Sequence, residues 1–265
     1  MLLFDTNPGL NTDLLLHAQT GRVDEHEGYI VVLTPEAPEY FFGNMLVLPQ
    51  RPSLSDLPRI ERDFARLVGE PPRIVHRTYT WTELADGPVC LDDMVSRGYD
   101  PTVCEVLTAT PGEWIPARIN KQLEIRRFRS QADWDVWSTM QLANMPNPAD
   151  ITSQRFIAHQ QRAFKVLIER GMGDWWGAFL DGTQVGSLGL FFFDGVARFQ
   201  SVLTADTHRN QGVCRTLVSE VLKATQNRAN QFVMVADECY HAGRIYRALG
   251  FRPQARLGSL CWQAS

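Results

Sequence analysis

No CxxC pair occurs anywhere in this 265-residue chain. The five cysteines, Cys90, Cys104, Cys214, Cys239 and Cys261, are odd in number and widely spaced. That pattern excludes a disulfide framework and a zinc ribbon, and reads as reduced thiols in a cytoplasmic protein. The six histidines form no HExxH or other ligand spacing, so no metal is expected. No apolar run approaches the roughly 20 residues that span a bilayer, so no membrane partner is expected. The opening MLLFDTNPGL lacks a basic n-region and does not read as a secretory signal. A basic excess is missing too. Lys and Arg number 26 against 30 Asp and Glu, a net charge of −4. This argues against a nucleic-acid partner and leaves room for a cationic small molecule.

What is present fits a globular protein with a substantial core. Hydrophobic residues make up 44% and charged residues 21%, and the length suits one large domain or two of ordinary size. Strands are predicted at 28–34 and 40–48, rich in β-branched and aromatic residues. Leu54, Leu57, Ile60, Phe64 and Leu67 recur at helical spacing and predict an amphipathic helix over 54–68. A strand at 73–80, a short helix near 90–97 ending at Gly98, and a strand at 102–108 follow. Residues 111–123, with Pro111, Gly112 and Pro116 and no clear period, read as a linker. Beyond it come a strand at 123–129, a helix capped by Ser130, and a helix over 152–169. Strands are expected at 174–180, 184–193, 196–204, 231–236 and near 257–263, with helices at 212–226 and 240–249.

The two halves echo each other. In each, a strand leads to a helix, a second strand, a short helix and a last strand, and Gly98-Tyr99 stands where Gly250-Phe251 stands.

The sharpest local signal is RNQGVC, 209–214, at the passage from strand to helix. Glycine inside a helix costs about 1 kcal/mol relative to alanine, and belongs where backbone or ligand approaches closely. The first helical turn leaves unpaired N–H groups at the positive end of the dipole. Together they make an anion cradle; an ordinary loop into a helix is the plainer reading. The segment SVLTADTHRNQGVCRTLV resembles the acyl-CoA-binding segment of the GNAT superfamily of acetyltransferases, whose pattern is Arg/Gln-x-x-Gly-x-Gly/Ala. Here it runs Arg209-Asn210-Gln211-Gly212-Val213-Cys214, with Cys214 in place of the last small residue. AGRIYRALGF, 242–251, is similar to the family's later helix, which commonly ends Tyr-x-x-x-Gly-Phe, here Tyr246, Gly250 and Phe251. Cys239 stands where the family often has asparagine.

The resemblance covers about 121–265 and implies an α+β fold: two GNAT-like halves, each a mixed, mostly antiparallel sheet flanked by helices. It implies a degenerate N-terminal domain over 1–115 and an acetyltransferase domain over 121–265. VLPQRPSLSDLPRI offers no glycine cradle, and Met94 stands where Tyr246 would be, so one coenzyme site, in the second half, is implied. The co-substrate would be acetyl-CoA. Val202, Leu203 and Thr204 would pair through backbone with its pantetheine arm, and one N–H would polarise the thioester carbonyl. Arg209 and Asn210 lead into the cradle, and the N–H groups of Gln211, Gly212, Val213, Cys214 and Arg215 would hold the pyrophosphate. Tyr246 would be the general acid that protonates the departing thiolate; without the resemblance it reads as a core aromatic, sharing a helical face with Ala242, Ile245 and Leu249.

The acceptor implied is an amine, with a small molecule favoured slightly by the acidity, and the protein a monomer or homodimer. The general base stays open: Asp237, Glu238 and His241 either line that region or are solvated loop residues. Trp175-Trp176 and Phe191-Phe192-Phe193 could wall an acceptor pocket, though neighbours in a strand face opposite sides and some must be core. Arg126, Arg127 and Arg129 read as a solvated strand edge. Gly171, Gly173 and Gly177 miss the dinucleotide spacing and read as a turn. An acyl-CoA-binding sensor without turnover is the alternative to an enzyme.

Overall fold

A computed structural model of the chain describes residues 7–84, 86–87 and 89–264; residues 1–6, where the opening segment begins, lie outside it. Helix α1 (Pro8–Thr20) is capped by Asn7, whose side chain accepts the Leu10 N–H. It leads to strands β1 (Arg22–His26) and β2 (Tyr29–Leu33). A short turn at Phe41–Gly43 precedes β3 (Met45–Val47). Then come α2 (Leu57–Leu67), β4 (His76–Glu83), α3 (Asp92–Val95) and β5 (Asp100–Ala109). The rest is β6 (Leu123–Arg127), α4 (Gln131–Ala143), α5 (Ile151–Glu169), β7 (Gly173–Leu180), β8 (Thr183–Phe193), β9 (Val196–Thr204), α6 (Val213–Thr225), β10 (Gln231–Asp237), α7 (Ala242–Ala248) and β11 (Arg252–Gln263).

Two differences from the sequence reading have physical causes. The strand expected over 40–48 shrinks to three residues. The buried Asn44 side chain accepts from the Thr34 N–H and donates to the carbonyls of Ala37 and Tyr40, folding the chain into a turn. Residues 8–26, which carry no clear period, form α1 and β1. There the start is set by the Asn7-Pro8 cap rather than by an apolar stripe.

The chain divides into two compact units. The first runs to Val106 and adds 236–240 and 253–265; the second is 107–235 with 241–252. In the first, strand order is β1-β2-β3-β4-β11-β5. β1, β2 and β3 are antiparallel, β3 and β4 run parallel, and β11 returns antiparallel to β4. The apolar stripe of α2, Leu57, Ile60 and Phe64, buries against Tyr29, Val31, Leu46, Tyr79 and Trp81.

In the second unit the order is β10-β9-β8-β7-β6. β6 to β9 are antiparallel and β10 runs parallel to β9. α6 buries Val213, Leu217, Val218, Val221 and Leu222 as expected from their spacing. An aromatic cluster joins α4, α5, β7 and β8: Trp137 lies 5.5 Å from Trp175, and Phe164 lies 4.5 Å from Trp175. α4 begins with the cap predicted at Ser130, which Asp133 extends into a capping box.

Candidate active site

Strands β9 and β10 pair only at their beginnings, Val196–Arg198 with Gln231–Val233. From Phe199 to Thr204, β9 has no β10 partner, so that edge offers unpaired backbone groups to an extended ligand. The same stretch carries a bulge. Ser187 faces Leu203 and Gly189 faces Gln200, so Ser201 and Val202 together oppose one residue of β8. Ser201 takes φ +45°, an uncommon left-handed conformation for serine. Val202, Leu203 and Thr204 follow, each half-buried.

The chain then turns through Asp206–His208 into RNQGVC. Asn210 and Gly212 both have positive φ, +60° and +76°. Gly212 is the N-cap of α6, and no side chain caps that helix. The first-turn N–H groups of Val213, Cys214 and Arg215 therefore keep their free donor capacity, and the helix dipole adds positive potential. A Cβ at Gly212 would meet nothing closer than Arg215 Nη2 at 3.8 Å, so the space above it is open. Arg215 is exposed. The Asn120 side chain donates to the Gln211 carbonyl at 3.1 Å, and its N–H donates to Thr216 Oγ1 at 2.8 Å, tying the loop to α6. Arg209 pairs with Asp206 at 2.6 Å, and the Gln211 side chain donates to the Thr207 carbonyl. Burial pushes the Cys214 thiol up to about 12.

Tyr246 sits on α7 and is 4% exposed. The helix ends in a Schellman motif: the Phe251 N–H donates to the Tyr246 carbonyl and the Gly250 N–H to the Arg247 carbonyl. The Phe251 ring lies 6.4 Å from Tyr246 and 6.2 Å from Phe199, where β9 leaves its partner. The first unit repeats the device. The Tyr99 N–H donates to the Met94 carbonyl and the Gly98 N–H to the Val95 carbonyl, so Met94 holds the helical position of Tyr246.

Other expectations resolve differently. Arg126 is only partly exposed: it makes two hydrogen bonds to Asp133, at 2.8 and 3.0 Å, and lies 3.7 Å above the Phe179 ring. Arg127 pairs with Asp174 and Arg129 is exposed. Trp175 and Phe191 are core, 1% and 0% exposed, while the Arg228 guanidinium covers Phe192. Both Glu238 oxygens accept from Arg256, so this carboxylate is an ion-pair partner. Asp237 accepts the Cys239 N–H, and His241 is exposed. Among the described residues no cluster of His, Cys, Asp and Glu is placed to hold a metal ion, and no helix is long and apolar enough to cross a membrane. The bulge at Ser201 and the clamp by Asn120 carry no signal in sequence, since both depend on partners far along the chain.

An open parallel-strand fork, a bulged strand and an uncapped helix start thus lie next to one another along the chain. Residues 172–253 match the family model of the acetyltransferase (GNAT) domain. This segment is thus a GNAT-type acetyltransferase domain, and enzymes with that domain take their acyl group from acyl-CoA. The fold is shared with several solved structures. A functionally unknown conserved protein from Staphylococcus epidermidis has TM-score 0.70 at 13% identity, covering 93% of this chain and 96% of that one. A GCN5-related N-acetyltransferase from Kribbella flavida has TM-score 0.64 at 17% identity, covering 98% and 97%. A tandem GNAT protein from the clavulanic acid biosynthesis pathway has TM-score 0.58 at 16% identity, covering 97% and 89%. No curated protein sequence matches the chain.

Proposed function

We propose that the chain is an N-acetyltransferase, moving an acetyl group from acetyl-CoA to the primary amine of a small molecule by direct attack on the thioester. The uncapped start of α6 behind the left-handed Gly212 carries this reading. The N–H groups of Gln211 to Arg215 would hold the pyrophosphate, with Arg209 and Asn210 shaping the entry. The open edge of β9 at Val202, Leu203 and Thr204 would pair with the pantetheine arm, and one of its N–H groups would polarise the carbonyl. Tyr246, fixed by the Schellman turn, would donate its proton to the leaving sulfur. The family pattern, the mild acidity and the absence of an assigned base leave the acceptor to be found among cationic small molecules in a cytosolic setting.

Calorimetric titration with acetyl-CoA, alongside Gly212→Glu, tests it. Saturable 1:1 binding that the variant loses, followed by thiol release with a member of an amine panel, supports the proposal. No binding to the unaltered protein would sink it. A second reading, an acyl-CoA sensor without turnover, gains from the engagement of Glu238 by Arg256, which removes one of three candidate bases. Tight binding with no thiol release across the panel would favour it.

A further inference from the structure

The first unit contains a cavity that the reaction does not use. It lies at the carboxyl end of β3, where the parallel β3–β4 pair gives way to the loop into α2, and is lined by Leu48, Arg51, Arg59, Ile60, Asp56 and Glu27 among others. Ligands favour the carboxyl ends of parallel strands. The volume is about 170 Å³, well below the roughly 300 Å³ at which drug-sized pockets begin. That excludes a coenzyme and admits a molecule of amino-acid size.

The lining is divided by chemistry. Leu48 and Ile60, each 2% exposed, give it an apolar floor. Its charged residues carry both signs, two guanidiniums and two carboxylates. A simple anion would meet Glu27 and Asp56, and a simple cation would meet Arg51 and Arg59. Arg51 is held rigidly: its Nε and Nη2 donate to the buried Glu83 carboxylate, leaving Nη1 for another acceptor. Glu83 is itself fixed by the Trp81 indole N–H and the Leu84 N–H. Arg59 donates to the Tyr29 hydroxyl, but its ion pairs are loose, 3.6 Å to Asp56 and 3.8 Å to Asp63, with the side chain 55% exposed. Such exposed pairs contribute little and re-partner readily. One fixed and one adaptable guanidinium suit a carboxylate; Glu27 already takes Arg66 at 2.5 Å and Asp56 takes the Ser53 N–H and hydroxyl, and a carboxylate's remaining lone pairs can accept an ammonium besides.

We propose that this cavity binds a small zwitterion of the α-amino acid class, its carboxylate on Arg51 and Arg59, its ammonium on Glu27, and its side chain on Leu48 and Ile60. The proposal is independent of the acetyl-transfer reading, because every residue it uses lies in the first unit.

The test is a thermal-shift screen of the full chain against each protein amino acid at millimolar concentration, with calorimetry on any that raises Tm. For the best one, the deaminated acid and the decarboxylated amine are titrated in parallel. Saturable binding of the amino acid, at least tenfold tighter than either analogue and weakened at least tenfold in both Arg59→Gln and Glu27→Gln, is the expected result. Both substitutions are at exposed side chains, so folding is retained and circular dichroism checks it. Absence of binding by every amino acid, equal binding of an analogue, or binding unchanged in either variant overturns the proposal. Acetyl-CoA titration of the same variants serves as the separate control: it is expected to be unchanged, and its own failure would bear only on the second unit.

Discussion

The Tyr246 carbonyl accepts the Phe251 N–H at 3.1 Å, and the two rings lie 6.4 Å apart. One residue, Gly250 at φ +94°, makes this possible. A Cβ there would lie 2.3 Å from the Glu113 carbonyl oxygen. In the matching turn of the first unit, Gly98 at φ +80° would place its Cβ 3.6 Å from the Trp262 ring, an ordinary contact. The two glycines thus share a conformational demand and differ in steric demand. Left-handed strain costs about 1 kcal/mol, and a backbone clash adds to it. Gly98→Ala is expected to lose about 1 kcal/mol and Gly250→Ala about 3 kcal/mol or more. Urea unfolding monitored by tryptophan fluorescence measures both. Equal losses would mean that the strap at Glu113 yields without cost.

Tyr246→Phe separates the hydroxyl from the ring. The ring packing on Phe251 and the backbone turn survive, so acetyl-CoA affinity should stay within about twofold. A general acid contributes roughly 10²–10⁴-fold, so turnover should fall by that order while acetyl-CoA binding persists. Turnover unchanged by the substitution would return Tyr246 to the role of core aromatic.

Much of this was legible because it is local. Gly250-Phe251 and RNQGVC encode backbone conformations within six residues, and Ser130 caps α4 through its own third neighbour. The apolar faces of α2 and α6 follow from helical spacing. Features built from distant partners were not legible. The fork of β9 and β10 depends on which residues fail to pair. Arg126 finds Asp133 and Phe179 only once β6, α4 and β7 are folded, and Glu238 meets Arg256 eighteen positions later. Asn44 reads as a strand residue until its side chain is seen closing the loop behind it.

The Arg126–Asp133 pair makes its own prediction. Two hydrogen bonds from Arg126, with lesser help from the N–H groups of Arg129 and Ser130, hold the Asp133 carboxyl down to about 2. A depressed carboxylate stabilises the fold above its unfolded pKa and loses that contribution as pH falls through the folded value. The window here is roughly pH 4 to 2, and the size about 2 kcal/mol. Asp133→Asn should lower stability at pH 7 and flatten its dependence on pH below 4. Denaturant titrations at pH 7 and 3 decide it; the same loss at both would assign the effect to packing.

His76 acts in a different window. It is 1% exposed, stacks on Phe41 at 4.3 Å and bonds to Thr78 through Nδ1. Burial pushes its pKa down to about 4, against a smaller upward pull from the Pro38 backbone. The folded state therefore resists protonation that the unfolded chain accepts near pH 6.5. Stability is complete above pH 6.5 and falls as the pH drops from 6.5 towards 4, by up to about 3 kcal/mol. The carboxylates of Asp63, Glu83 and Asp133 are all held below their ordinary values. The buried His17 and His159 share this window, so the part of a loss between pH 6.5 and 5 that belongs to His76 is the part removed by its substitution. His76→Phe keeps a flat ring against Phe41 and has no proton to gain. Its stability should decline less from pH 7 to 5 than that of the unaltered protein. Parallel slopes in the two proteins would mean that another group titrates there and that His76 is already protonated or solvated.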